Sequence, residues 1–279
     1  ELESSLGVNP YKFGVIGSTD AHTALPSAEE DNFHGKMATD SIPSRKDGGW
    51  SDDARSTFGW GMSASGLAAV WATENTREAI VAAMRRREVY ATSGPRIAVR
   101  TYGGLNLPAT VLEAPGFPDS IQRETVPMGG EIMGAGADDR FSMAIEAQAD
   151  PKSGYLDRIQ VVKGWTDATG EAQERVYDAA WSGDDRLLSN GSLTAVGSSV
   201  DLKTGLTANS IGSPRLTVLW KDPEFDPAQS AFYYVRVLQI PTARHSLLDK
   251  LALGDEDIDT RRPDTIQERA YTSPIWYRP

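Results

Sequence analysis

From Ile97 onward the chain alternates. Ile97, Val99 and Thr101 are separated by Ala98, Arg100 and Tyr102. Phe141, Met143, Ile145 and Ala147 are separated by Ser142, Ala144, Glu146 and Gln148. Side chains two apart leave a strand on the same face, so a period of two builds a surface with one side to bury. The same texture runs through Leu156 to Trp165, Ser198 to Leu202, Arg215 to Trp220 and Ala231 to Ile240, with Gly, Pro, Asn and Asp in the intervals. Strands in this number without intervening helices predict an antiparallel β-sandwich over residues 96–279.

Residues 1–95 read differently. The first dozen suggest the tail of a helix and a connecting loop ending at Asn9-Pro10, followed by a short buried strand at Phe13 to Ile16 that Gly17 and Ser18 end. Residues 24–66 are polar, with little periodicity; Phe33, Trp50, Phe58 and Trp60 offer hydrophobic anchors, so the stretch should be ordered in part. A second buried strand is expected at Leu67 to Ala72 and a third at Val89 to Thr92. Between them a helix presents Ala79, Ile80, Ala83 and Met84 on one face. Asn75 with Glu78 fits its start as a capping box, Thr73 is a rival cap, and Arg85, Arg86 and Arg87 fall in its last turn. Strands alternating with a helix make this part α/β.

Composition narrows the function. The formal net charge is −11, so no basic surface for tracking phosphates is evident and nucleic acid is not an expected partner. Cysteine is absent, which removes disulfides, thiolate zinc sites and thiol catalysis. No apolar run is long enough to span a bilayer. The chain opens at Glu1 without a secretory signal and reads as a piece of something longer.

The chemistry points to Asp20 and His22. They follow the Phe13–Ile16 run two residues apart, a spacing that in extended backbone aims a carboxylate and an imidazole at one spot. Both are ordinary ligands of divalent metals. The bland alternative is that Asp20 caps a turn and His22 bonds to backbone.

Gly17-Ser-Thr-Asp-Ala-His22 resembles the last metal-binding motif of the PHP (polymerase and histidinol phosphatase) metallohydrolases. Thr19 lies where that superfamily often runs Ser directly into Asp, but the spacing from Asp to His is intact. The wider context is similar to domain-of-unknown-function family 3604, which is PHP-like and related to carbaryl-hydrolase-type enzymes. The matching stretches are Leu6-Gly-Val-Asn-Pro10, Ile16 to Thr23, Glu29-Glu-Asp-Asn-Phe33 with Gly35-Lys36, Tyr90-Ala-Thr-Ser-Gly-Pro-Arg96, Phe225-Asp-Pro-Ala-Gln229 and Ile266 to Tyr277. The resemblance covers essentially the whole chain and corresponds to the C-terminal half of a family member. It implies that residues 1–95 are the C-terminal part of a distorted PHP-type (β/α) barrel, followed by the sandwich, and that the missing N-terminal half is the principal partner. Family members often carry export signals, which favours the periplasm over the cytoplasm.

The resemblance also implies that Asp20 and His22 are metal ligands. Two or three divalent ions (Zn, Mn or Fe) with a bridging hydroxide would then hydrolyse phosphate esters, or carbamate and carboxyl esters, with this chain alone inactive. Around that pair, Arg96 and the weaker Lys36 are candidates for holding an anionic substrate. For Arg96 an ion pair between the barrel and the sandwich competes. Glu29, Glu30 and Asp31 would order the loop over the site or bond to its ligands from behind; a solvated acidic loop is the alternative. His34 beside Phe33 and His245 between Arg244 and Ser246 read as packing or surface residues. Glu268 and Arg269 read as a structural pair. Asp222, Glu224 and Asp226 read as turn acids in preference to a Ca²⁺ site. Trp165, Trp181, Trp220 and Trp276 suggest core packing over a carbohydrate platform. The function of another class that remains open is a non-catalytic ligand-binding or scaffold module with a degenerate barrel.

Overall fold

The computed structural model describes residues 6–25, 28–46, 59–64, 66–122, 125–255 and 257–279. Trp50, Phe58 and most of the expected N-terminal helix tail lie outside them.

Among the described residues, fourteen strands and two α-helices follow the chain in the order β1 (Leu67–Val70), α1 (Arg77–Arg86), β2 (Val89–Thr92), β3 (Ala98–Leu105), β4 (Val126–Pro127), β5 (Glu131–Met133), β6 (Phe141–Gln148), β7 (Leu156–Thr166), β8 (Ala172–Trp181), β9 (Arg215–Lys221), β10 (Ala231–Gln239), β11 (Thr242–Ala243), α2 (His245–Leu253), β12 (Thr265–Ile266), β13 (Arg269–Thr272) and β14 (Ile275–Arg278). Neither helix is long and apolar enough to cross a membrane.

The fold is mainly β, and the expected (β/α) barrel is absent among the described residues. Two open sheets face each other. The smaller runs β4-β3-β6-β9 and is antiparallel throughout. In the larger, β10 is central: β7 and then β8 lie on one side, while the other edge is shared by β14 at Ala231–Tyr233 and β13 at Arg236–Leu238. Beyond β13 come β2 and β1, and beyond β14 comes β5, in the one parallel pairing between named strands.

The barrel expectation fails at β1-α1-β2. A barrel unit needs its strands parallel, joined by a crossover. Here Leu67 pairs with Thr92 and Val70 with Val89, so the strands are antiparallel in spite of the helix between them. The far edge of β2 is then taken by β13, with Ala91 opposite Tyr271. The large sheet therefore draws strands from both sides of residue 96.

The core lies between the sheets. Val99, Met143, Ile145, Ile159, Val161, Val235, Val237 and Ile275 are buried there, and Phe141 stacks on Tyr233 with centroids 4.0 Å apart. One charged pair is enclosed with them. Lys163 Nζ lies 2.6 Å from Asp222, and the Tyr233 hydroxyl donates to the same carboxylate at 2.8 Å. Asp222 is thus neither a solvated turn acid nor free for calcium. Glu224 bonds Arg175 and the Tyr177 hydroxyl.

Several local expectations shift. Helix α1 is capped by Thr76, whose hydroxyl accepts Ala79 N–H; of its expected apolar face Ala83 is buried while Met84 is 47% exposed. Ser198–Leu202 holds only an isolated bridge at Val200. Phe13–Ile16 is not a buried strand: it has no ladder partner among the described residues, and Phe13 and Ile16 are 57% and 59% exposed. The segment instead lies against the larger sheet. A Cβ on Gly17 would stand 2.5 Å from the Leu67 carbonyl oxygen and 2.8 Å from that of Thr92, so only glycine permits this approach. Val15 N–H is taken by the Ser273 hydroxyl, which donates to Val89 O.

Candidate functional site

Asp20 and His22 close the segment that Gly17 seats against β1 and β2. The backbone is not extended here, because Asp20 sits at φ 47°. A non-glycine residue in that region is uncommon and costs about 1–3 kcal/mol, and such positions cluster at functional sites. This turn, and not strand periodicity, brings the His22 ring to the backbone of Asp20. His22 Nδ1 lies 2.9 Å from the carbonyl oxygen of Asp20.

A second segment docks on the turn. His22 N–H donates to Lys36 O at 2.6 Å, and His22 bridges Met37 in parallel sense. Gly35, at φ +97°, turns the chain into this contact, and buried Asp40 fastens it by accepting Met37 N–H at 3.0 Å. The Lys36 ammonium consequently bonds the carboxylate of Asp20. Three of the residues singled out in the sequence thus form one cluster on the surface.

The other candidates lie in a neighbouring network. Glu29 pairs with Arg96 at 2.8 Å, so both are occupied by each other. Arg96 N–H also donates to Asp150. Glu30 accepts Ala64 N–H at 2.7 Å and His245 N–H at 2.6 Å, at the start of α2. Asp31 and His34 are exposed.

Sequence reasoning missed what lies beneath this loop. His245 is buried at 1% exposure, packs on Phe33 with ring centroids 4.5 Å apart, and faces Asp249 and Met62 O. Lys46, also buried, bonds Asp249 and covers the Trp60 ring. Burial pushes the Asp249 carboxyl up, but His245 and Lys46 outweigh it and hold the group below its ordinary range. Partners some 200 residues apart leave no local pattern to read. Glu268 accepts from the Ser93 hydroxyl, and Arg269 turns to Gln267 O and the Tyr271 hydroxyl in place of the expected pairing. Burial, aided by the charge of Glu30, pushes Glu268 up to about 7.

The pair fits a divalent ion in kind. A metal-bound imidazole ordinarily gives its other N–H to a carbonyl or carboxylate. His22 can do so from Nδ1 to Asp20 O, which leaves Nε2 as the ligating nitrogen. Number is the shortfall: among the described residues no group of three or more His, Asp or Glu stands where it could hold a metal.

A family described only as protein of unknown function, DUF3604, matches residues 1–279. The chain belongs to DUF3604. No curated protein and no solved structure matches it. Two clefts of this DUF3604 chain lie apart from the Asp20 turn. One of about 470 Å³ is walled by Trp71, Arg100, Tyr102, Asp119 and Gln122; the other, of about 1030 Å³, is walled by Tyr11, Phe232, Trp276 and Arg278.

Proposed function

We propose that the chain supplies Asp20 and His22 to the metal centre of a PHP-like metal-dependent hydrolase acting on phosphate esters, or on carbamate and carboxyl esters. The remaining ligands would come from a part of the protein that these residues do not include. The observation that carries the reading is the His22 ring. With Nδ1–H donating to the Asp20 carbonyl oxygen 2.9 Å away, Nε2 is left as the ligating nitrogen, and the Asp20 side chain, on a residue in a left-handed turn, is 70% exposed.

A bound Zn, Mn or Fe ion would lower the pKa of a water and polarise the P=O or C=O bond under attack. This chain's own groups would do the rest. The Asp20 carboxylate brings negative charge to the centre, and the His22–Asp20 contact fixes the imidazole tautomer. The forked donors of Arg96, whose side chain remains 61% exposed while paired to Glu29, can take an anionic oxygen of the substrate. Lys36 offers a second cation.

The test is metal analysis of the complete protein, followed by a screen of phosphomonoesters, diesters, carboxyl esters and carbamates against an Asp20→Ala control. Turnover with bound metal, lost in the variant, supports the reading; equal metal content and equal rates in the two proteins refute it. A second reading, a ligand-binding module without catalysis, is favoured by the aromatic walls of the 1030 Å³ cleft. It predicts a metal-free protein whose ligand affinity depends on Trp276 and not on Asp20.

A further inference from the structure

Lys36 makes two different contacts with the same turn. Its backbone carbonyl accepts His22 N–H at 2.6 Å, and its side chain bonds the Asp20 carboxylate. The first contact holds the backbone of the turn that carries Asp20 and His22; the second neutralises the Asp20 carboxylate. A lysine ammonium is a compact point charge on a flexible stem of four carbons, so it can leave without disturbing its own backbone. Gly35 and Asp40 fix that backbone independently of the side chain.

We propose that Lys36 is a resident counter-cation, which occupies the Asp20 carboxylate until a divalent ion displaces it and thereby sets the affinity of the site. The proposal rests on the metal reading of Asp20 and His22. Two positive centres cannot share one carboxylate oxygen without strong repulsion, since unit charges 4 Å apart interact by about 1 kcal/mol even in water and more near a protein surface. Displacement is nevertheless feasible, because the Asp20 side chain is 70% exposed and an exposed ion pair is weak. Asp20 remains in its left-handed turn in both states, as the His22 ring and the residue 36 carbonyl hold it from either side.

The chain has only three histidines, so the site can be watched directly. Mn²⁺ titrated into the chain should broaden the imidazole resonances of His22 in proton–nitrogen correlation spectra. His245, which makes no contact with the turn, should broaden less and only in proportion to its distance from the ion. Lys36→Met should lower the Mn²⁺ concentration at half-broadening by about 1.5- to 5-fold, the range expected for a surface charge pair. Lys36→Arg, which keeps the cation, should stay close to the wild type. The His22 amide shift reports whether the turn survives, since its partner is the backbone of residue 36. An unchanged or higher midpoint in Lys36→Met, with the His22 amide in place, overturns the proposal and leaves the metal reading standing. Broadening of His22 that is indifferent to Asp20→Asn removes both.

Discussion

The carboxylate of Glu30 accepts the backbone amide of His245 at 2.6 Å, across 215 residues of chain. Its other oxygen holds Ala64 N–H at 2.7 Å, so one side chain ties both ends of the polar loop to the N-terminus of α2. Negative charge is favourable there, where the helix leaves amides unpaired. Glu30→Ala should cost about 1–3 kcal/mol by orphaning two amides. Glu30→Gln should cost less. Urea unfolding gives the total, and amide exchange at Ala64 and His245 should accelerate together; protection unchanged at both would contradict the tie.

Glu268 gives the fold a pH dependence of definite sign. The group ionises near its ordinary value of 4.5 when unfolded and at about 7 when folded, because burial disfavours the charged form. Between those values the folded state holds a proton that the unfolded state has released. Stability from this group is therefore full below pH 4.5, falls as pH rises to about 7, and levels off above. The total is on the order of 3 kcal/mol. Glu268→Gln should flatten this slope in urea unfolding measured from pH 5 to 8 and should gain on the wild type at the alkaline end. A parallel pair of curves would show that Glu268 is not the source.

Lys163 and Asp222 are enclosed together, with side-chain exposures of 3% and 0%. Removing the cation alone leaves a buried carboxylate with only the Tyr233 hydroxyl and the Glu224 N–H as donors. Lys163→Met should destabilise the protein by about 3–5 kcal/mol, whereas Lys163→Met with Asp222→Leu should recover much of the loss. Thermal unfolding of the four proteins completes the cycle. Additive losses would mean that the two groups do not interact.

Gly17→Ala tests how the Asp20 turn is held. The new methyl meets two backbone carbonyls, neither of which can swing aside. The segment should lift from β1 and β2 at a cost of about 1–3 kcal/mol. Val15 N–H should lose its protection from exchange, and His22 should respond less to Mn²⁺. Gly136→Ala is the control, because the nearest atom to its Cβ is a carboxylate oxygen at 3.5 Å. It should stay within about 0.5 kcal/mol of the wild type.

The sandwich was legible where strands were long and half their residues faced the core. The Phe141–Gln148, Leu156–Trp165 and Arg215–Trp220 alternations all became ladders. Two kinds of strand were not. β8 is an edge whose first five residues are exposed, so it carries little apolar signal, and β13 and β14 are four-residue pieces split by Ser273-Pro274. The β1-α1-β2 stretch misled for a different reason. Local pattern specifies strand, helix and strand but not the direction of pairing, and the other partner of β2, β13, comes some 180 residues later. At the candidate site the residue types and spacing of Asp20 and His22 could be read, whereas the left-handed turn and the Lys36 contact could not, since neither leaves a periodicity.

The division of one β10 edge between β13 and β14 has a consequence for synthesis. Those two strands follow β10 in the chain and leave the ribosome after it. Until they arrive, the nascent polypeptide carries the nine-residue strand Ala231–Gln239, apolar at most positions, with one flank bare. Unpaired strand flanks recruit other chains, and pairings this distant in sequence form slowly. Delayed or prematurely terminated translation would therefore expose the centre of the sheet, not its rim, to self-association.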